Sequence, residues 1–150
     1  GKGIFVSGTG LTYKGEWKNN KIHGNGFEKY DNGSRFKGHF ENGEKNGKGF
    51  LKFFDGKDQE TPHLYKGMFK DGIKEGKGSY TYPDGRKYVG NFKKDKKDGQ
   101  GIYHWPDGKY YNGGWKNGKQ HGEGNYKPKD EDKTYKGFWN KGKRIKWLNK

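Results

Sequence analysis

The chain has 150 residues, the size of one domain, with a net charge of +15. Leu, Ile, Val and Phe together supply only 21 residues, a content that with this charge usually describes a disordered chain; aromatic residues, however, make up 17% and recur at a fixed spacing. The absence of cysteine excludes a disulfide framework and thiolate metal sites and is compatible with a reducing compartment; the longest apolar run, Ile4-Phe5-Val6, is far too short for a transmembrane helix or a signal peptide.

In chain order, Gly1-Lys2-Gly3 already falls within a repeat pattern, so the chain reads as a fragment of a longer array. Six segments then match aromatic-x-Gly-x-aromatic, from Tyr13-Gly15-Trp17 and Phe36-Gly38-Phe40 through Tyr65-Gly67-Phe69, Tyr88-Gly90-Phe92 and Tyr111-Gly113-Trp115 to Tyr135-Gly137-Trp139. Their starts are 23, 29, 23, 23 and 24 residues apart. Period-2 spacing puts both aromatics and the glycine on one face of a strand, with mostly polar residues on the other. A tight turn follows, marked by Asn42-Gly43, Asp71-Gly72 and Asn117-Gly118, pairs that accept positive φ; Asn19-Asn20 and Lys94-Asp95 are weaker versions. Gly-x-Gly opens a second strand eleven residues after each of the first five starts (Gly24/Gly26, Gly47/Gly49, Gly76/Gly78, Gly99/Gly101, Gly122/Gly124). That strand continues as Ser79-Tyr80-Thr81-Tyr82 or Ile102-Tyr103-His104-Trp105, and Asp55-Gly56 or Pro83-Asp84-Gly85 then turns the chain again.

Each period is therefore one hairpin, and successive hairpins make an antiparallel meander. Glycine inside a strand weakens it unless something approaches closely. Both glycines of Gly-x-Gly are expected to make room for rings of neighbouring strands. A buried ring removes about 150–250 Å² from water, or about 4–6 kcal/mol, so a few rings per repeat can offset much of the chain entropy once neighbours stack.

The strings YKGEWKNNKIHGNG (13–26), YVGNFKKDKKDGQG (88–101) and YNGGWKNGKQHGEG (111–124) resemble the MORN (membrane occupation and recognition nexus) repeat, and the resemblance covers nearly the whole chain. It implies an all-β fold: an elongated, single-layer, twisted antiparallel sheet of tandem hairpins with a shallow groove. On this reading residues 1–150 form a single array, with a partial repeat at 1–12, repeats starting at 13, 36, 65, 88 and 111, and a terminal cap at 135–150. The insertion around Asp58–His63 and the charged stretch Asp130–Lys133 interrupt two of the second turns. Family members include junctophilins, plant phosphatidylinositol phosphate kinases, radial-spoke proteins and protist cytoskeletal proteins. The resemblance thus implies binding or positioning rather than catalysis, in a cytoplasmic setting associated with cytoskeleton, cilium or membrane.

A single-layer sheet leaves one aromatic face without a covering layer. Tyr80, Tyr82, Tyr103, Trp105, Tyr111, Trp115 and Tyr126, in the most regular and basic stretch, are the expected contacts for an amphipathic helix or extended peptide of another protein. The alternative surface is cationic: Lys93, Lys94, Lys96 and Lys97 in one hairpin turn, and Lys141, Lys143, Arg144 and Lys146 near the end, facing anionic phospholipid headgroups. Nucleic acid is disfavoured because no recognition motif accompanies the charge. A structural spacer whose edge strands pair end to end is a third reading. His23 and His121 precede glycine at matching positions and read as turn-stabilising residues rather than metal ligands. Serines are few, no nucleophile–base arrangement can be assembled, and Gly-x-Gly lies in hairpins rather than at a strand-to-helix turn. No enzyme activity, cofactor or metal is expected.

Overall fold

A computed structural model describes residues 1–57 and 60–149. Of the expected insertion, Asp58 and Gln59 lie outside the described residues, as does Lys150 of the expected cap. All regular structure among the described residues is β-strand, and the strands of the antiparallel sheet follow one another in chain order. The chain forms two compact units, Gly1–Lys74 and Glu75–Lys150. The first holds β1 (Lys2–Val6), β2 (Thr12–Lys18), β3 (Lys21–Lys29), β4 (Arg35–Glu41), β5 (Glu44–Phe53) and β6 (His63–Lys70). Strand β7 (Ile73–Thr81) begins at its end and runs into the second unit, which continues with β8 (Lys87–Lys93), β9 (Lys96–His104), β10 (Tyr110–Lys116), β11 (Lys119–Lys127), β12 (Tyr135–Asn140) and β13 (Lys143–Trp147).

The tight turns are those that the sequence predicts. Asn42, Asp71 and Asn117 have φ of 50°, 50° and 51°, each followed by a glycine at positive φ, so both central residues are left-handed and the turn twist matches the strands. Asn19-Asn20 and Lys94-Asp95 adopt the same geometry without glycine. In the wider second turns, the Asp84 and Asp107 carboxylates accept from the backbone N–H two residues on, at 3.1 Å in both cases.

The two glycines of Gly-x-Gly do different work, which corrects the expectation that both clear space for rings. After the pair Gly15↔Gly26, the next pair is Trp17↔Ile22, so one residue of β2 opposes three of β3. The same bulge recurs after Gly38↔Gly49, Gly90↔Gly101 and Gly113↔Gly124. Gly24, Gly47, Gly99 and Gly122, the first glycines of their Gly-x-Gly pairs, lie in this bulge at positive φ, from 81° to 89°, and Gly76 also has positive φ. The second belongs to a ladder of directly opposed glycines: Gly3, Gly15, Gly26, Gly38, Gly49 and Gly67 in the first unit, and Gly78, Gly90, Gly101, Gly113, Gly124 and Gly137 in the second.

The core lies on top of this ladder. The first aromatic of the motif folds back over its own glycine and the one opposite; a Cβ on Gly26 would meet the Tyr13 hydroxyl at 2.3 Å, and one on Gly101 the Tyr88 ring at 2.4 Å. Tyr13, Phe36, Tyr65, Tyr88 and Tyr111 are fully buried. Each tyrosine hydroxyl donates to the carbonyl three residues on, inside the bulge: Tyr13 to Glu16 at 2.9 Å, Tyr65 to Met68 at 2.7 Å, Tyr88 to Asn91 at 2.7 Å and Tyr111 to Gly114 at 2.9 Å. One residue thus supplies apolar area and satisfies a carbonyl that the bulge removes from the ladder.

The rings also meet edge to face. In the first unit Tyr13 contacts Trp17 and Phe40 at 5.4 Å, and Phe36 contacts Phe40 and Phe69 at 5.2 Å. In the second, Tyr88 contacts Phe92 at 5.1 Å and Trp115 at 5.3 Å, and Tyr111 contacts Trp115 at 5.4 Å and Trp139 at 4.8 Å. Each such pair contributes about 0.5–1.5 kcal/mol beyond area burial, and because successive pairs join neighbouring hairpins, the repeats stabilise one another.

Candidate functional site: an aromatic face set with cations

Strand register brings the seven expected aromatic residues of the second unit to one face. Tyr80, Tyr88, Tyr103, Tyr111, Tyr126 and Tyr135 stand directly opposite one another on β7 through β12. Alternation along β9 and β10 adds Trp105 and Trp115 to this face, and Tyr82 packs on Tyr80 and Tyr103, with centroids 4.6 and 6.0 Å away.

Exposure divides the seven. Tyr111 is fully buried, and Tyr103 and Trp115 keep only 7% of their surface. These three are core residues and offer a partner little area, contrary to the expectation that placed them among its contacts. The reason is the bulge: it brings Trp115 against both Tyr88 and Tyr111, and its indole Nε1 donates to the Gly101 carbonyl at 3.1 Å. Tyr80, Tyr82, Trp105 and Tyr126 remain half-buried. They lie on the second strand of each hairpin or just beyond it.

The face is cationic as well as aromatic. Lys97 is not part of the hairpin-turn cluster to which sequence proximity assigns it. Its cross-strand partner is Phe92, so its side chain lies on the aromatic face, whereas Lys96 pairs with Lys93. The Lys97 ammonium donates to the Tyr82 hydroxyl at 2.8 Å and lies 5.5–5.8 Å from the ring centroids of Tyr82, Tyr88, Tyr103 and Trp115. Burial, and secondarily the charge of Arg86, hold its pKa below the usual lysine value. Arg144, exposed like Lys141, Lys143 and Lys146, is set apart by its register opposite Trp139, with its guanidinium carbon 4.5 Å from the Trp147 centroid.

Two further cations on this face are absent from the sequence-based candidates. Arg86 stacks on Tyr82, 4.6 Å from its centroid, and donates to the Tyr103 hydroxyl at 3.0 Å and to Asp84 at 2.7 Å. Lys109 lies 5.2 Å from the Trp105 centroid. Both precede a motif tyrosine by two residues, so the period-2 rule that places Tyr88 and Tyr111 also places them.

These side chains border two open depressions. One, of about 320 Å³, has Arg86, Lys97, Tyr103, Trp105 and Gln120 in its wall. The other, of about 270 Å³, lies among Trp105, Lys109, Tyr126, Trp139, Arg144 and Trp147. The exposed Lys93, Lys94 and Lys96 gather with Lys116 around a third depression, of about 570 Å³, which Asp98 and Trp115 also line.

Residues just before the bulge glycine tie successive hairpins together. Glu75 accepts from the backbone N–H of Lys94 at 2.7 Å, and His121 Nδ1 from that of Lys141 at 3.4 Å. That is the turn role expected of His121; His23 instead packs edge-on against His39 at 6.3 Å. Among the described residues, no group of three or more His, Asp or Glu gathers in metal-binding geometry.

The profile of the MORN repeat matches residues 13–35, 36–57, 65–85, 88–110 and 111–128. The chain belongs to the MORN-repeat family. No curated protein matches it closely enough to be named as a relative. MORN repeats serve generally as modules for interaction with proteins or membranes, and the parts of the motif that recur along this chain are ring, ladder glycine and bulge glycine. The second-strand positions are left to vary.

Proposed function

We propose that this MORN array is a non-enzymatic docking module that holds an amphipathic helix or extended peptide of another protein across the aromatic face of its second unit. The observation that carries the reading is the set of half-buried rings, Tyr80, Tyr82, Trp105 and Tyr126, on a face that the described residues of the second unit leave without a covering layer. Rings of this kind give large contact area at low conformational cost, and the cations stacked on them add orientation. The test is affinity capture of a partner with the wild type, with Trp105→Ala/Tyr126→Ala and with Lys93→Gln/Lys94→Gln/Lys96→Gln. The first variant should lose the partner and the second should keep it. A partner retained by Trp105→Ala/Tyr126→Ala at wild-type strength contradicts the reading.

A second reading rests on Lys93, Lys94, Lys96 and Lys116, whose cations share one exposed turn region. Each basic group near an anionic bilayer contributes about 1 kcal/mol, so these four would give weak, salt-sensitive attachment. Cosedimentation with phosphoinositide vesicles at low salt, lost in the triple glutamine variant, is the expected result. Equal sedimentation of wild type and variant contradicts it.

A further inference from the structure

In the second unit two cations sit side by side on the aromatic face with too few acids to match them. Lys97 has no carboxylate within ion-pair distance among the described residues; a neutral hydroxyl, that of Tyr82, accepts its hydrogen bond. Arg86 shares the same Tyr82 ring and has one acidic partner, Asp84, bound through Nε, besides the Tyr103 hydroxyl. An open depression lies above both. A cation partly removed from water without a counter-charge loses some of its hydration, and supplying the counter-charge offsets that loss.

The first unit shows what the repeat places at this position. Lys45 is the counterpart of Lys97: it faces the second motif aromatic, Phe40, as Lys97 faces Phe92. Glu28 stands opposite Phe36, as Tyr80 stands opposite Tyr88. The Glu28 carboxylate lies 3.4 Å from the Lys45 ammonium and accepts from the Tyr30 hydroxyl at 3.1 Å. In the second unit the place of Glu28 is taken by Tyr80. The place of Ser34, two residues before the motif aromatic, is taken by Arg86. The acid is gone and a second cation has been added.

We propose that Arg86 and Lys97 form the receptor for a carboxylate, a glutamate or aspartate side chain of the peptide or helix that docks on this face. The inference rests on the docking reading above and specifies the partner's chemistry: an acidic residue flanked by apolar ones. One carboxylate oxygen accepts from the Lys97 ammonium and the other from a terminal guanidinium nitrogen of Arg86. Such charge-assisted bonds are about twice as strong as neutral ones. A carboxylate is favoured over a phosphate because the matching position beside Lys45 is filled by one, that of Glu28, 3.4 Å from the ammonium.

The test uses the whole chain with 13C-labelled lysine and two helical 15-residue peptides identical except for glutamate or glutamine between their leucines. N-acetyl-triglutamate and inositol hexakisphosphate serve as small probes. The Lys97 Cε resonance reports the seat, and Trp105 fluorescence reports docking. The expected result is at least tenfold tighter binding of the glutamate peptide, with a Lys97 shift that triglutamate reproduces. The preference should vanish in Lys97→Gln. It should also vanish in Tyr80→Glu, where the chain's own carboxylate fills the seat; amide spectra establish that both variants are folded. Equal affinity of the two peptides, or a preference that survives both Lys97→Gln and Arg86→Gln, overturns the seat. A fluorescence response to both peptides without a Lys97 shift removes the seat and leaves docking intact. A Lys97 shift with triglutamate but no fluorescence response to either peptide leaves the seat and removes docking. Response to inositol hexakisphosphate alone replaces the carboxylate with a phosphate and overturns the proposal, and no response to any probe overturns both readings.

Discussion

The two units are built on the same register and differ in what they place on it. The first carries Phe5, Tyr13, Glu28, Phe36, Leu51 and Tyr65 across six strands, and the second carries Tyr80, Tyr88, Tyr103, Tyr111, Tyr126 and Tyr135. At the positions of Tyr13, Phe36, Tyr65, Tyr88 and Tyr111 both units hold a fully buried ring over the glycine ladder. At the intervening positions the first has Phe5, Glu28 and Leu51, while the second has tyrosine throughout. The comparison separates the fold from the face. First-strand rings build the sheet, and the second-strand residues other than the buried Tyr103 set what the sheet presents. In the first unit a carboxylate neutralises the groove lysine internally; in the second it does not.

The widest separation comes from truncating one ring of each kind. Tyr111→Ala removes a fully buried ring that meets Trp115 and Trp139, and should lower stability by about 3–5 kcal/mol. Tyr126→Ala, on the half-buried set, should cost about 1 kcal/mol or less. Denaturant unfolding measures both, and equal losses would erase the distinction between core and face. Next in size is the ladder. Gly101→Ala drives a methyl into the Tyr88 ring and Gly26→Ala one into Tyr13, so each should lose about 1–3 kcal/mol through overpacking. A loss in only one would show that the units do not share this seat.

The groove ion pair gives a smaller effect confined to one unit. Glu28→Gln leaves Lys45 beside Phe36 without its carboxylate and should cost about 1–3 kcal/mol. The variant should also acquire affinity for triglutamate, which titration would detect. The smallest expected effect concerns the tyrosine hydroxyls. Tyr111→Phe should lose about 1 kcal/mol, and Phe36→Tyr, which restores the hydroxyl that this repeat lacks, should recover a similar amount. The same hydroxyls dictate the alkaline limit. Burial pushes Tyr111 up to about 12 and raises Tyr13 and Tyr88 above their ordinary value. The unfolded chain therefore loses these protons first. Their contribution is intact below about pH 10 and is lost as pH rises through the folded values. Thermal unfolding across this range should show a midpoint that falls only above about pH 10; a midpoint independent of pH there would contradict burial of the hydroxyls.

Much of this was legible in the sequence because the repeat states its own register. Asn42-Gly43 and Asn117-Gly118 announced their turns, and aromatic-x-Gly-x-aromatic announced a one-sided strand. The bulge was not legible. A period-2 reading passes smoothly through Gly24-Asn25-Gly26 and cannot tell a glycine required for positive φ from one required for clearance. That hidden change of register moved Lys97 from a turn cluster to the aromatic face and set Trp115 against Tyr88 and Tyr111. Arg86 and Lys109 obey the same alternation but stand in segments whose sequence reads as turn. The partner's chemistry came into view only through the contrast of Glu28 with Tyr80, which needs both units in register.

The central structural claim is that one glycine of each Gly-x-Gly lies under a ring and the other does not. Proton NMR of the glycine Hα resonances tests it directly. The account predicts strong upfield ring-current shifts at Gly26, Gly101 and Gly124, with ordinary positions at Gly24, Gly99 and Gly122. Ordinary positions at all six, or upfield shifts at the first glycine of each pair, would contradict it.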